Sequence, residues 1–513
     1  MTPTRHAAVL SITSGALLAL AFPSVGASLC AWIGLVPLFG AIDGTLPGRA
    51  FRMGWLAGAT FALGTLYWVV NPINYYTDAP VIVAITALVL LAATIGVYFG
   101  LFAAALRLAR AGMIVPLALA APVCWVSMEW VRSVGPLAFP WVVLGYSQYR
   151  QHELIQCAEV TGVHGISALL VFANAVIYGV LRDGRVAVRS QRWGVAILAV
   201  LVGGLLLAGH HRLGTLQHLR AGGEVAVGVV QANVDQGRKW DPEFQAESVE
   251  RHIRLGAVAK EAGADLVVWP ETAVPFYFQA ETPGRDRIVE FATAQHVDVL
   301  FGAPAFEYGD FHGMRLFNRA YLVERDGSVG GFYDKLQLVP FGEYVPFRSV
   351  LFFVDAVVEG VGNFVPGTKA TVFSLPQGRF GVLICYEGIF PRLSRELVKR
   401  GAGFLVNITN DAWFGNTSAP YQHLAMVTLR AVENRVPIVR AANTGISAIV
   451  DIDGRVRWQT GLFEATTRTD TVSWTHLRTF YTQYGDVFTA LCGLASVVLI
   501  GYAALVRRRR VRR

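Results

Sequence analysis

Eight stretches of about twenty mostly apolar residues can be marked along this chain, and a helix of that length is what crossing about 30 Å of hydrocarbon requires. They run near residues 7–23, 27–43, 53–72, 80–106, 113–131, 161–181, 193–210 and 485–506. Seven lie in the first 220 residues and the eighth follows residue 478. The fold class expected is a polytopic α-helical membrane bundle of about eight spans, interrupted by a polar segment between spans seven and eight. The parts are 1–220, a seven-helix bundle; 221–478, an inserted domain; and 479–513, an eighth helix with an arginine tail. The first stretch has one preceding arginine and no small-residue cleavage site, so it reads as a retained helix rather than a signal peptide.

Charge supports the same division. The 513 residues include 44 Lys+Arg and 36 Asp+Glu, net +8. Residues 221–478 hold 25 basic and 29 acidic side chains, net −4, which leaves 19 basic against 7 acidic in the flanks, net +12. All five lysines lie in the middle segment, so the flanking cations are all arginine. Arg5, Arg49, Arg52, Arg107, Arg110, the cluster Arg182 to Arg192 and the C-terminal arginines fall on one side of the alternating spans. The loops around 23–27 and 73–79 on the other side carry no Lys or Arg. By the positive-inside rule both termini are cytoplasmic and residues 221–478 are extracytoplasmic. The positive excess therefore orients the chain in a bilayer, and no nucleic-acid partner is expected.

Within 221–478 strand and helix patterns alternate. Strand-like runs are Glu224–Val234, Asp265–Trp269, Val297–Gly302, Asn318–Val323, Val329–Asp334, Phe380–Cys385, Gly403–Ile408 and Ile438–Ala442. Helical spacing covers Gln245–Ala262, Arg285–Gln295, Pro391–Arg400 and Pro420–Asn434. That order predicts an α/β domain. Three polar residues close strands: Glu271 in VVWPET, Lys335 in GFYDKLQLVPFGEY and Cys385 in GVLICYEG. Cys385 is the only one of the chain's five cysteines in this segment, so it has no intradomain disulfide partner. A thiol, a carboxylate and an ammonium suffice for acyl transfer: nucleophile, proton acceptor and oxyanion stabiliser. On spacing alone the same three residues fit an inert core cysteine among ordinary surface charges.

The wording of these segments adds to the spacing. WPET at 269–272, DKLQLVPFGEY at 334–344 and CYEGIFP at 385–391 resemble the three catalytic motifs of the nitrilase superfamily, and FLVNITNDAWFG at 404–415 and VRAANTGISAIVD at 439–451 are similar to its later strands. FPWVVLGYSQ at 139–148 and VPFGEYVPFR at 339–348 look like the membrane-embedded branch of that superfamily, the apolipoprotein N-acyltransferases of the bacterial inner membrane. The resemblance implies an αββα sandwich for the inserted domain. It implies transfer of an acyl chain from a phospholipid to the α-amine of the diacylglyceryl-cysteine that begins a lipoprotein, ping-pong through a cysteine thioester. Cys385 would be the nucleophile, Glu271 the base and Lys335 the oxyanion cation, with no metal or other cofactor. Glu343, Tyr386 and Glu387 would support them, and Trp240, Trp413, Phe352 and Phe353 would contact lipid; a monomer is expected.

Three further expectations follow. Asn410 and Asp411 should fix their turn through side-chain to backbone bonds. The apolar stretches Pro275–Phe278 and Val350–Val365 should rest in the bilayer as lipid-seeking loops. Two rival functions stand beside the transferase: a membrane-tethered amidase acting on a small extracytoplasmic amide, and a scaffold with an inactive nitrilase-like domain.

Overall fold

The computed structural model describes residues 3–77, 79–110, 115–219, 221–309, 313–346 and 363–511. It forms two units, one helical (Met1–Val70, Pro80–Gln217, Tyr484–Arg513) and one of mixed α/β structure (Asn71–Ala79, His218–Gln483).

Glycine spacing governs how two helices of the first unit meet. Gly54 and Gly58 in helix Pro47–Thr65, and Gly96 and Gly100 in helix Val81–Arg110, are each four residues apart and so share a helix face. A Cβ on Gly54 would come within 2.5 Å of the Phe99 carbonyl oxygen, and one on Gly96 within 2.8 Å of the Trp55 carbonyl oxygen. The backbones touch because these side chains are absent, the close-packing device used where lipid supplies no hydrophobic drive between helices. Among the described residues, four helices are long and apolar enough to cross a membrane: Val81–Arg110, Val163–Arg182, Arg192–Gln217 and Val487–Val506. The pair Pro47–Thr65 and Tyr67–Tyr75, bent by 59°, would make a fifth if it is one span. The apolar stretches near 7–23, 27–43 and 113–131 coincide with the helices Pro3–Leu20, the shorter Cys30–Ile42, and Leu117–Arg132, which contains Pro122.

The second unit holds twelve described strands in two six-stranded sheets. They are β1 (Gly223–Gln231), β2 (Leu266–Val268), β3 (Asp298–Gly309), β4 (Gly313–Val323), β5 (Val329–Asp334), β6 (Val372–Leu375), β7 (Gly378–Ile384), β8 (Phe404–Thr409), β9 (Ile438–Ala442), β10 (Ala448–Val450), β11 (Val456–Gln459) and β12 (Thr466–Trp474). One sheet is ordered β12-β1-β2-β3-β4-β5 and the other β11-β10-β9-β8-β7-β6. Strands β1, β2 and β3 are parallel, as are β7, β8 and β9. Helices α1 (Pro242–Glu261), α2 (Pro283–Gln295), α3 (Pro391–Lys399) and α4 (Ala419–Asn434) supply their crossovers.

Strand side chains alternate between faces, and that alternation builds the layers. Val225, Val227 and Val229 of β1 join Leu266, Val268, Phe380, Val382, Phe404, Val406 and Val439 in a core contributed by both sheets. The opposite face of the first sheet, with Val230, Val267, Trp269, Val299 and Phe301, packs on Val249, Ile288 and Phe291 of α1 and α2. Phe278 belongs to this second core, with its ring centroid 4.9 Å from Phe301 and 5.1 Å from Tyr321. The Pro275–Phe278 stretch is thus not a lipid-seeking loop: Pro275 and Phe278 are buried and Phe276 packs against the same cluster. Strands β6, β10, β11 and β12 were not marked by the sequence pattern. In β12 only Val472 and Trp474 are buried, so most of its residues are polar and lack the strand signature.

Candidate active site

The site is assembled at the carboxyl ends of β2, β5, β7 and β8, which belong to different sheets. Glu271 follows β2, Lys335 follows β5, Cys385 follows β7, and Asn410 follows β8. The backbone turns sharply here. Thr272 has φ 48° and Cys385 φ 50°, left-handed conformations that an L-residue with a Cβ adopts only when its surroundings compel it. At Thr272 one cause is visible in Gly302 of β3, which runs behind the turn; a Cβ there would lie 2.5 Å from the Thr272 nitrogen and 2.8 Å from the Glu271 Cα.

Lys335 is buried and its Nζ lies 3.2 Å from Glu271 Oε1 and 2.8 Å from Glu343 Oε1. Asn318 of β4 donates from Nδ2 to both oxygens at 2.8 Å, so one ammonium and one amide bridge the two carboxylates. The other Glu271 oxygen accepts from the Asn410 backbone N–H at 3.0 Å, and Glu343 Oε2 from Val339 N–H at 2.8 Å. Burial works to lower the Lys335 pKa, but the adjacent Glu271 and Glu343 charges outweigh it and hold the ammonium well above its ordinary value. The buried Cys385 thiol is pushed up, first by burial and then by the Glu271 charge, against the opposing pull of Lys335. Both charges therefore bear on the Cys385 sulphur, which rests as a thiol.

The turn carrying Cys385 is fastened from beneath. Glu387, fully buried, accepts from Ile384 N–H at 2.7 Å, Leu336 N–H at 2.7 Å, Gln337 N–H at 3.1 Å and Tyr333 O–H at 2.9 Å. Burial raises its pKa to about 7 in spite of the backbone donors. It thereby ties the lysine loop to the nucleophile turn. Tyr386 is also buried, its ring edge-on to Phe390 with centroids 5.0 Å apart. The Cys385 carbonyl lies 3.1 Å from His423 Nε2 and 3.4 Å from Asn407 Nδ2. Burial and then the Arg440 charge lower the His423 pKa, and its Nδ1 lies 3.1 Å from both Asp411 Oδ1 and Arg440 Nη2.

The described bonds of Asn410 and Asp411 correct the expected turn-fixing role. Asp411 engages side chains: Arg440 Nη2 at 2.6 Å and Thr409 Oγ1 at 3.0 Å. The Asn410 amide bonds Gln236 Oε1 at 2.5 Å and the Asn443 amide at 3.3 Å. Both therefore tie strand ends together. Trp240 and Trp413 are partly exposed, at 45% and 37%. Phe352 and Phe353, and with them most of the Val350–Val365 stretch, lie outside the described residues. Asn318, Gln236, Asn407 and His423 were not singled out from the sequence; Asn318, Asn407 and His423 lie in or beside apolar runs, and Gln236 lies in the polar stretch Asp235–Lys239.

Two family models match the chain: carbon-nitrogen hydrolase over residues 226–480, and the apolipoprotein N-acyltransferase N-terminal domain over residues 14–176. The chain is 42% identical to the apolipoprotein N-acyltransferase of Geobacter metallireducens, over 99% of this chain and 96% of that one. The chain belongs to the apolipoprotein N-acyltransferase family. An apolipoprotein N-acyltransferase of Allorhizobium ampelinum is 35% identical over 88% of this chain and 86% of its own. A solved amidase from Nesterenkonia sp. overlays 52% of this chain and 95% of its own with 22% identity and a TM-score of 0.38. For an apolipoprotein N-acyltransferase, the arrangement places a thiol, two carboxylates and an ammonium in one buried cluster.

Proposed function

We propose that this lipoprotein N-acyltransferase works through Cys385 as nucleophile, Glu271 as general base and Lys335 as the cation at the oxyanion. Because the resting thiol is protonated, attack and deprotonation are coupled: Sγ bonds to the carbonyl carbon of a phospholipid ester as its proton passes to Glu271. Lys335, held cationic by two carboxylates, offsets the negative charge on the tetrahedral oxygen. The ester C–O bond then breaks, Glu271 returns the proton to the leaving lysophospholipid alkoxide, and a thioester remains on Cys385. In the second half the α-amine of a diacylglyceryl-cysteine attacks that thioester. Its proton goes to Glu271 as the C–S bond breaks, and Glu271 reprotonates the thiolate. Glu343 and Asn318 keep Lys335 and Glu271 in register, Glu387 and Tyr386 shape the nucleophile turn, and Trp240, Trp413, Phe352 and Phe353 contact lipid.

The topology proposed with this chemistry is eight spans, the catalytic domain (221–478) between the seventh and eighth, and both termini cytoplasmic in a bacterial inner membrane. The arginine asymmetry supports it. The enzyme is proposed to act as a monomer.

The observation that carries the mechanism is the buried Lys335–Glu271 pair, 3.2 Å apart, formed at strand ends of the same unit as the strand end that carries Cys385. Mass spectrometry of the purified protein after exposure to phospholipid vesicles tests it. An acyl adduct on Cys385, discharged by a diacylated lipopeptide and not by water, is expected. Discharge by water with no lipopeptide preference would instead describe a hydrolase, and absence of any adduct would remove Cys385 from the reaction.

A further inference from the structure

The segment Asp235–Trp240 turns its last two side chains opposite ways. Trp240 is 45% exposed, whereas Lys239 is 1% exposed. A buried ammonium has to be paired or hydrogen-bonded to be tolerated. Lys239 Nζ donates to Thr272 Oγ1 at 2.7 Å and to the Glu271 carbonyl oxygen at 3.4 Å. It thus grips the two residues that make the left-handed turn behind the base. The same segment reaches the carboxylate by a second route: Gln236 Oε1 accepts from Asn410 Nδ2 at 2.5 Å, and the Asn410 N–H donates to Glu271 Oε2 at 3.0 Å. Burial lowers the Lys239 pKa to about 7, opposed by the Glu271 charge; the neutral ring of His252 on α1 lies within the reach of the Lys239 charge. Among the described residues, Lys335, Lys239 and the Cys385 thiol feel the Glu271 charge, and Glu343 shares Lys335 with it.

We propose that Lys239 is a positioning residue for acyl transfer: its hydrogen bonds lock the Glu271–Thr272 turn that aims the base. The inference rests on Glu271 being the base. In the alternative, Lys239 only fills space beneath the turn.

Three variants of the full chain separate these cases: Lys239→Met, which keeps the stem and removes charge and donors, Thr272→Val, which removes the hydroxyl acceptor, and Glu271→Gln. Acylation of Cys385 is followed against pH by mass spectrometry with phosphatidylethanolamine vesicles, and alkylation of Cys385 by iodoacetamide checks that the thiol stays accessible. Lys239→Met should lower the acylation kcat on the order of 10- to 100-fold with KM for the donor little changed, as loss of aim predicts. Wild-type kcat should fall as pH rises through about 7, where Lys239 gives up its proton, and Lys239→Met should lack that limb. A space-filling lysine would give both proteins the same profile, and an unchanged profile with wild-type kcat overturns the proposal. If Lys239→Met does not fold, Thr272→Val decides: a tenfold or greater loss of kcat supports the lock, and wild-type kcat overturns it. Glu271→Gln with transfer intact would defeat the base reading itself; Glu271→Gln inactive beside an unaffected Lys239→Met would defeat only the role of Lys239.

Discussion

Replacing Gly302 by alanine tests how accurately the base must be held. The new Cβ would stand 2.5 Å from the Thr272 nitrogen and 2.8 Å from the Glu271 Cα, both backbone atoms. Ordinary contact between non-bonded heavy atoms is about 3.5 Å or more, so β3 or the Glu271–Thr272 turn must give way by roughly 1 Å. Overpacking of this kind costs about 1–3 kcal/mol of stability, which leaves most of the protein folded. A misplacement of about 1 Å at a reacting group costs on the order of 100-fold in rate. The expected result is a Gly302→Ala protein with a modestly lowered thermal transition and single-turnover acylation of Cys385 slowed on the order of 100-fold. Its iodoacetamide-reactive thiol count should match the wild type, because Cys385 lies in the other sheet. Wild-type acylation by a folded Gly302→Ala protein would refute the claim that β3 sets the position of the base.

Two further predictions follow from buried polar groups. Asn318→Leu removes two donors from the carboxylates that share Lys335, each hydrogen bond to a charged group being worth about 1.5–3 kcal/mol. A kcat lowered by at least about tenfold is expected, with Asn318→Asp worse because a third carboxylate crowds one ammonium; a wild-type kcat in Asn318→Asp would count against the bridge. His252 is buried, which lowers its pKa to about 3, so it is neutral in the fold and takes up a proton on unfolding below about pH 6.5. The unfolded chain binds the extra proton, so stability falls as pH drops from 6.5 towards 3, by about 2 kcal/mol at pH 5. His252→Leu should remove that part of the acid sensitivity in denaturation measured at pH 7 and pH 5, and equal losses in both proteins would contradict a neutral His252.

The residues that end strands were readable from sequence because an apolar β-branched run stopping at a polar residue marks both a strand and its exposed end. Glu271 and Cys385 have that signature, whereas Lys335 follows VGGFYD and stands out through the wording DKLQLVPFGEY. Asn318 does not, for it lies inside β4 and meets Glu271 only through pairing of strands distant in sequence. Lys239 was hidden by its polar surroundings in GRKWDP, where a lysine looks solvated and the tryptophan draws attention. The Pro275–Phe278 stretch misled for the opposite reason: apolar residues in a loop suggest a lipid contact, yet here two of them are pulled under the first sheet. The left-handed backbone at Cys385 had no glycine or asparagine to announce it.

One feature of the first sheet reaches beyond the chemistry. The polar strand β12 lies antiparallel to β1, with Gly223 paired to Trp474. Residues near the start and near the end of the His218–Gln483 stretch are thus neighbours. The roughly 250 residues between them close as one loop, and the entropy of closing it is met inside the domain's own folding. A cut at that pair should therefore leave two ends that already meet.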